Sequence, residues 1–288
     1  MRINAYRVRL FVLTSVLILV PVLVFNIVLF TSTQNTLKEN ASHNIQETLE
    51  SNFKNIESIL AVMESASTSL LIALAKLPKI VDPTLEVTGA QLFEVAQYPM
   101  TVHSSLIVDT YSIGGFNHFY LYLPSRSILL VSRMTFFEGI NPNVLDCHFL
   151  SDDKWGVSTP YENVICNPTV DATIKEKNIS KNFHMLDNED NEIILTTNVK
   201  EQYINQLLIS GLQISPTYAV IMDRHGNLIS SMNDEEIGKS LPQYRNILVV
   251  LNDQESGSTE LSIDGKTYLL NWTYSQGNEW YYIIATDA

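Results

Sequence analysis

The stretch TYAVIMDRHGNLISS, Thr217 to Ser231, decides how the C-terminal part of the chain is read. It sets an acid, a base, a histidine and a glycine between two apolar runs, so it is either a chemical cluster or the corner of a hairpin. Catalysis needs a nucleophile with a base and an orienting partner. Neither a G-x-S-x-G elbow nor a matched pair of carboxylates stands near it. A tight turn needs less: an aspartate that accepts bonds from backbone amides further along, and a glycine that adopts positive φ. Asp223 and Gly226 supply both, so Thr217 to Asp223 and Asn227 to Met232 are predicted strands around a turn.

Working outward, Ile237 to Leu251 reads as a helix. Gly257 to Ile263 and Lys266 to Tyr274 read as strands joined by Asp264-Gly265, a dipeptide suited to a type I′ turn. Glu279 to Thr286 is the last strand of an antiparallel sheet of five. Upstream, Lys200 to Leu212 is a helical link. Before it, Asn182 to Leu186 and Glu192 to Val199 flank the polar turn DNEDNE. That turn lacks the D-x-D-x-D-G spacing of a calcium loop and reads as a solvated hairpin tip. Phe116 to Leu123 alternates, with Phe119, Leu121 and Leu123 on one face and His118, Tyr120 and Tyr122 on the other; Ser127 to Arg133 returns beside it.

The first third is different. Leu10 to Phe30 holds 21 residues without a charge, enough to span a bilayer, for which ~20 apolar residues suffice. A signal peptide is the competing reading, but its apolar region is usually shorter, ~7–15 residues, and no A-x-A-like site follows closely. Arg2, Arg7 and Arg9 precede the span, so the bias of basic residues predicts a cytoplasmic N-terminus and an exterior for 31–288. Beyond the span, apolar residues recur at Leu37, Ala41, Ile45, Leu49, Phe53, Ile56, Leu60, Met63, Ala66, Leu70, Leu74 and Leu77. The mean step is about 3.6, the period of a straight α-helix, and Pro78 ends it. Such a helix reaches roughly 60 Å from the membrane. Its lower stripe, from Leu37 to Leu49, lies beneath the first sheet and predicts pairing with a second copy of the chain.

The chain carries a net charge of −13, with all 31 acids beyond the span. Such a surface argues against nucleic acid and anionic lipid as partners. Cys147 and Cys166, the only cysteines, are either one disulfide or two free thiols. No C-x-x-C pair or H-E-x-x-H spacing is present, so no metal and no cofactor is expected.

Taken together, the anchor, the helix from Thr33 to Leu77, "FYLYLPSRSILLVS" and the string "YAVIMDRHGNLISS…IGKSL…SGSTELSIDGKTYLLNWTYS…EWYYIIA" resemble the double-Cache exterior sensor domains of bacterial transmembrane receptors. The resemblance implies an α+β fold: an N-terminal transmembrane helix, a long juxtamembrane helix and two PAS-like antiparallel-sheet modules. Its divisions would be a cytoplasmic N-terminus at 1–9, a transmembrane helix at 10–30 and a signalling helix at 31–79. A membrane-distal module at 80–200, a linker helix at 201–212 and a membrane-proximal module at 213–288 would follow. The pattern is most similar to sensors that precede an AraC-type DNA-binding domain or a histidine kinase, which implies control of transcription. Such receptors continue into a second transmembrane helix and an output domain. Neither precedes Ala288, which implies a truncated receptor or an output supplied by another chain.

The expected function is ligand sensing without catalysis, by a homodimer. Tyr120 and Tyr122, facing away from the helix, with Arg133, Trp155, Tyr161, Thr196 and Asn198, are the candidate ligand-binding wall: aromatic residues with a few polar groups. Taken singly, each tyrosine reads first as core packing with a satisfied hydroxyl. Residues 90–200 hold seven bases and 13 acids, which disfavours an anionic ligand, and the arginine-tryptophan-tyrosine pattern of amino-acid-binding relatives is absent. A sugar, free or delivered by a solute-binding protein, is expected. A scaffold or adhesion protein is the alternative, and an exterior hydrolase the weaker one.

Overall fold

The computed structural model describes residues 2–75, 116–126, 128–131, 135–137, 154–158, 177–186, 190–251, 254–263 and 265–287. A single helix, α1 (Arg2–Ala75), runs through the apolar span and onward. From Leu10 to Phe30 its apolar side chains are exposed, and this part is long and apolar enough to cross a membrane. Pro21 lies inside the helix without ending it. From Ile45 upward the stripe is covered: Ile45, Leu49, Ile56, Leu60, Met63, Leu70 and Leu74 are all buried. The 3.6-residue spacing therefore marks the face on which the rest of the chain folds. Leu77 and Pro78 lie outside the described residues.

Two antiparallel sheets stand along this helix. The first contains β1 (Phe116–Leu123), β2 (Ile128–Val131), β3 (Thr135–Phe137), β4 (Gly156–Ser158), β5 (Asn178–Leu186) and β6 (Glu192–Lys200), in the order β3-β2-β1-β6-β5-β4. β5 begins four residues before the predicted strand, at Asn178. β6 runs directly into α2 (Glu201–Ile209), which wedges against α1: Ile204 and Leu208 share one core cluster with Leu49, Ile56 and Leu60. The Asn52 side chain donates to the carbonyls of Leu208 (3.0 Å) and Ser210 (2.7 Å), covering carbonyls that the end of α2 leaves free.

The second sheet contains β7 (Tyr218–Asp223), β8 (Leu228–Ser231), β9 (Ser256–Ile263), β10 (Lys266–Ser275) and β11 (Trp280–Asp287), in the order β8-β7-β11-β10-β9. Its inner strands are buried on both faces, which explains why WYYIIA in β11 is apolar without alternation. Ala219, Ile221, Trp280, Tyr282 and Ile284 face α1 and α2. Val220, Met222, Leu270, Trp272, Tyr281 and Ile283 face α3 (Pro242–Leu251) through Tyr244, Ile247 and Leu251. Each buried residue of this size contributes roughly 1.5–3 kcal/mol, so both layers are needed to hold the sheet.

Two expectations are corrected here. The helix predicted from Ile237 begins only at Pro242. A 3-10 turn (Asp234–Glu236) and Gly238, with φ +81°, occupy the chain before it. Ile45 and Leu49 do not form a seam for a second copy: they are 4% and 0% exposed within the chain's own core, whereas Leu37 is 62% exposed. The second sheet reaches further down the helix than the sequence implied. Lys38 pairs with Glu260, and Ser42 donates to Asn271.

Candidate functional site

Asp223 makes the corner that the sequence predicted. Its Oδ1 accepts from the backbone amides of His225 and Asn227, each at 2.8 Å, and Oδ2 accepts from Asn227 Nδ2 at 2.6 Å. Gly226 stands at φ +80° and donates to the Asp223 carbonyl. Arg224 lies over the Tyr274 ring and 3.8 Å from Glu279. These are turn and surface contacts, and they hold no reactive group.

The candidate site lies on the other sheet, and the register of its strands defines it. One set of rows faces α1. Thr197 meets Ser67 of the helix through their hydroxyls (2.6 Å), and Lys181 donates to Glu64 (2.7 Å). Val199 and Ile179 join the helix core. Side chains alternate along a strand, so the intervening rows belong to the outer face. Those rows pair Asn182 with Thr196 and Thr196 with Tyr120, Ser180 with Asn198 and Asn198 with His118, and His184 with Ile194 and Ile194 with Tyr122. Of the seven predicted residues, Tyr122, Thr196 and Asn198 are thus brought together on one face, and the backbone of Tyr120 pairs with Thr196 in the same rows.

The middle of that face is polar and buried, while His184 at its end is exposed. Thr196, Asn198 and Asn182 are all buried; Thr196 donates to Asn182 Oδ1 at 2.7 Å, and Ser180 donates to Asn198 Oδ1. Tyr122 is 2% exposed, and its hydroxyl is buried with no hydrogen-bond partner among the described residues. Burial pushes the Tyr122 hydroxyl pKa up, and the nearby Glu192 carboxylate adds to the shift. Glu192 is itself 3.0 Å from His184 Nδ1. A buried polar group without a partner costs about 1–3 kcal/mol.

Trp155 is not part of this wall. It precedes β4 on the helix side, where its indole nitrogen donates to Glu64 Oε1 at 2.7 Å and its ring enters the α1 core. Trp155 and Lys181 meet at the same carboxylate oxygen. Arg133, Tyr161, Cys147 and Cys166 lie outside the described residues. Ser180 was missed because the strand was started at Asn182; Asn182 and His184 lay inside the predicted strand, but only the register of β5 on β6 sets them beside Thr196 and Ile194. Extending its two-residue alternation back to Asn178 exposes a polar set at 178, 180, 182 and 184.

The sequence matches a double-Cache family model, described as a Cache domain, over residues 33–288. The chain belongs to the Cache family of sensory, ligand-binding domains. No curated protein matches it in sequence. Among solved structures it is similar to the sensory domain of the Campylobacter jejuni chemoreceptor Tlp3 (CcmL) with isoleucine bound, at 14% identity and a TM-score of 0.56, covering 88% of this chain and 95% of that one. The periplasmic sensory domain of the C. jejuni chemoreceptor Tlp1 matches with a TM-score of 0.58 at 10% identity, over 86% of this chain and 96% of that one. The ligand-binding domain of the Pseudomonas aeruginosa PAO1 amino acid chemoreceptor PctB in complex with L-Arg matches at 15% identity with a TM-score of 0.54, over 85% and 93%. At these identities the likeness establishes the shared fold.

Proposed function

We propose that this chain is the exterior sensing region of a membrane-anchored receptor, and that the outer face of the first sheet binds a small neutral polar molecule. The observation that carries the reading is the buried hydroxyl of Tyr122, unpartnered among the described residues, on the same face as Thr196 and Asn198. Hydroxyl and amide side chains exchange hydrogen bonds with a sugar in both directions, and the excess of acids between residues 90 and 200 opposes an anion. In this reading 80–200 is the ligand-binding module, 201–212 the linker and 213–288 the transmitting module. The N-terminus is cytoplasmic, 31–288 is exterior, and two copies pair. The signal passes to an output that controls transcription, of the AraC or histidine-kinase kind.

A second reading, an amino acid ligand, is favoured by the isoleucine and L-Arg complexes of the structural neighbours. One experiment separates them. The full chain in lipid nanodiscs is screened by thermal shift against neutral sugars and amino acids, since a ligand that binds only the folded state raises its melting temperature. The chemical class of the hit decides between the readings. Tyr122→Phe then lowers affinity for the hit about tenfold, the value of one hydrogen bond, without lowering the stability of the free protein. Loss of free-state stability with unchanged affinity overturns the site, and so does a screen with no hit in either class.

A further inference from the structure

The one covalent connection between the two sheets among the described residues is the passage from β6 into α2, and a carboxylate stands at that point. Glu201, the first residue of α2, is 3% exposed. Its backbone amide donates to the Lys177 carbonyl (3.1 Å), which ties it to the first sheet at the start of β5. Its side chain reaches the second sheet: Oε1 accepts from the Ser231 amide of β8 at 3.2 Å, and the carboxyl also bonds the Ser230 side chain. Asn205, one turn along α2, donates to Ser230 Oγ at 3.1 Å. One residue therefore holds both sheets, through its backbone on one side and its carboxyl on the other.

Among the described residues, the surroundings do not balance a charge there. Asp234, from the 3-10 turn after β8, is a like charge facing the carboxyl. Lys177 is the opposite charge, and its ammonium is bonded to the carbonyls of Asp234 and Ile237. Glu236 and Tyr244, ionisable groups of the same layer among the described residues, bond each other at 2.7 Å. Burial, the largest cause, raises the Glu201 pKa against the bonds from Ser230 and Ser231. A carboxylate held by neutral donors in a dry site is an energetic cost. A protonated carboxyl there has no such cost and also becomes a donor.

We propose that Glu201 is a proton-operated latch between the two sheets: with a proton it fastens α2 onto β8, and on losing the proton it lets the fastening loosen. The sign follows from linkage. A carboxyl with a raised folded-state pKa contributes full stability below its unfolded value, near 4.3. That contribution is lost as pH rises through the folded value. Acid outside the cell therefore stiffens the path between sensing and transmitting sheets, and neutral medium relaxes it. The latch acts with no ligand present, so it does not depend on the binding site, while the exterior placement and the sensing and transmitting roles of the sheets rest on the function proposed above.

The test is hydrogen exchange of the full chain in nanodiscs from pH 5 to 8, expressed as protection relative to intrinsic rates. In the wild type, protection of α2 and of β8 around Ser231 falls as pH rises, with a slope of no more than about tenfold per pH unit for one linked proton. Protection of the β9–β10 pairs serves as the reference and does not follow that course. In Glu201→Gln, which keeps an acceptor oxygen but does not titrate, the joint's protection is flat with pH and at neutral pH exceeds the wild type severalfold. Equal pH responses in wild type and variant overturn the latch. Should the variant not fold, the wild type decides alone: a loss confined to α2 and β8 supports the proposal, and no loss or a uniform loss overturns it.

Discussion

At the scale of single residues, the contacts legible in the sequence are those made between near neighbours. Asp223 and Gly226 were readable as a corner because every bond that makes it lies within four residues. Gly226→Ala forces an alanine to φ +80° and is expected to cost about 1–2 kcal/mol. Trp155 was not readable, since its partner Glu64 is 91 positions away and only the fold brings them together. Gly257 is a third case, and its reason lies across the sheet. A Cβ there would stand 2.6 Å from Cζ2 of Trp272, whose ring lies over the bare glycine. Gly257→Ala is expected to destabilise by about 1–3 kcal/mol, as overpacking does, visible as a lower urea midpoint. A midpoint unchanged from the wild type would show that the indole moves aside freely.

For the elements, α1 carries the largest share of the account. Its periodicity gave the helix and its buried face correctly, because a helix needs only its own sequence to set that stripe. What it could not give was the partner covering each height. Ile45 and Leu49 pack into the core shared with α2 and the second sheet. Leu49→Ala is therefore expected to cost about 2–5 kcal/mol, and Leu49→Glu to unfold the exterior part rather than to separate subunits. Leu37 is left exposed, so the proposed pairing of two copies falls there and in the span below. Single cysteines at positions 33–41 are expected to cross-link between copies in membranes, and cysteines at 45 and 49 are not. Cross-links at 45 or 49 with the fold intact would contradict the packing described. The boundary of α3 was misjudged for a local reason. Gly238 and Pro242 together stop an apparently helical run from starting earlier.

Across the whole molecule, two sheets share one helix. The second sheet was legible strand by strand, since hairpin turns and apolar runs are local signals. The first was legible in part: its alternating strands gave the face bearing Tyr120 and Tyr122. The row partners Asn182, Ser180 and His184 emerge only from the register of β5 on β6. The central claim is that ligand is taken on the outer face of the first sheet and that the second sheet transmits. Hydrogen-exchange mapping of the full chain, free and saturated with the compound found by thermal shift, tests this most directly. The account predicts added protection centred on β1, β5 and β6, with any change in the second sheet smaller and confined to the α2–β8 joint. Protection centred on β9 to β11 or α3, with the first sheet unchanged, would contradict it.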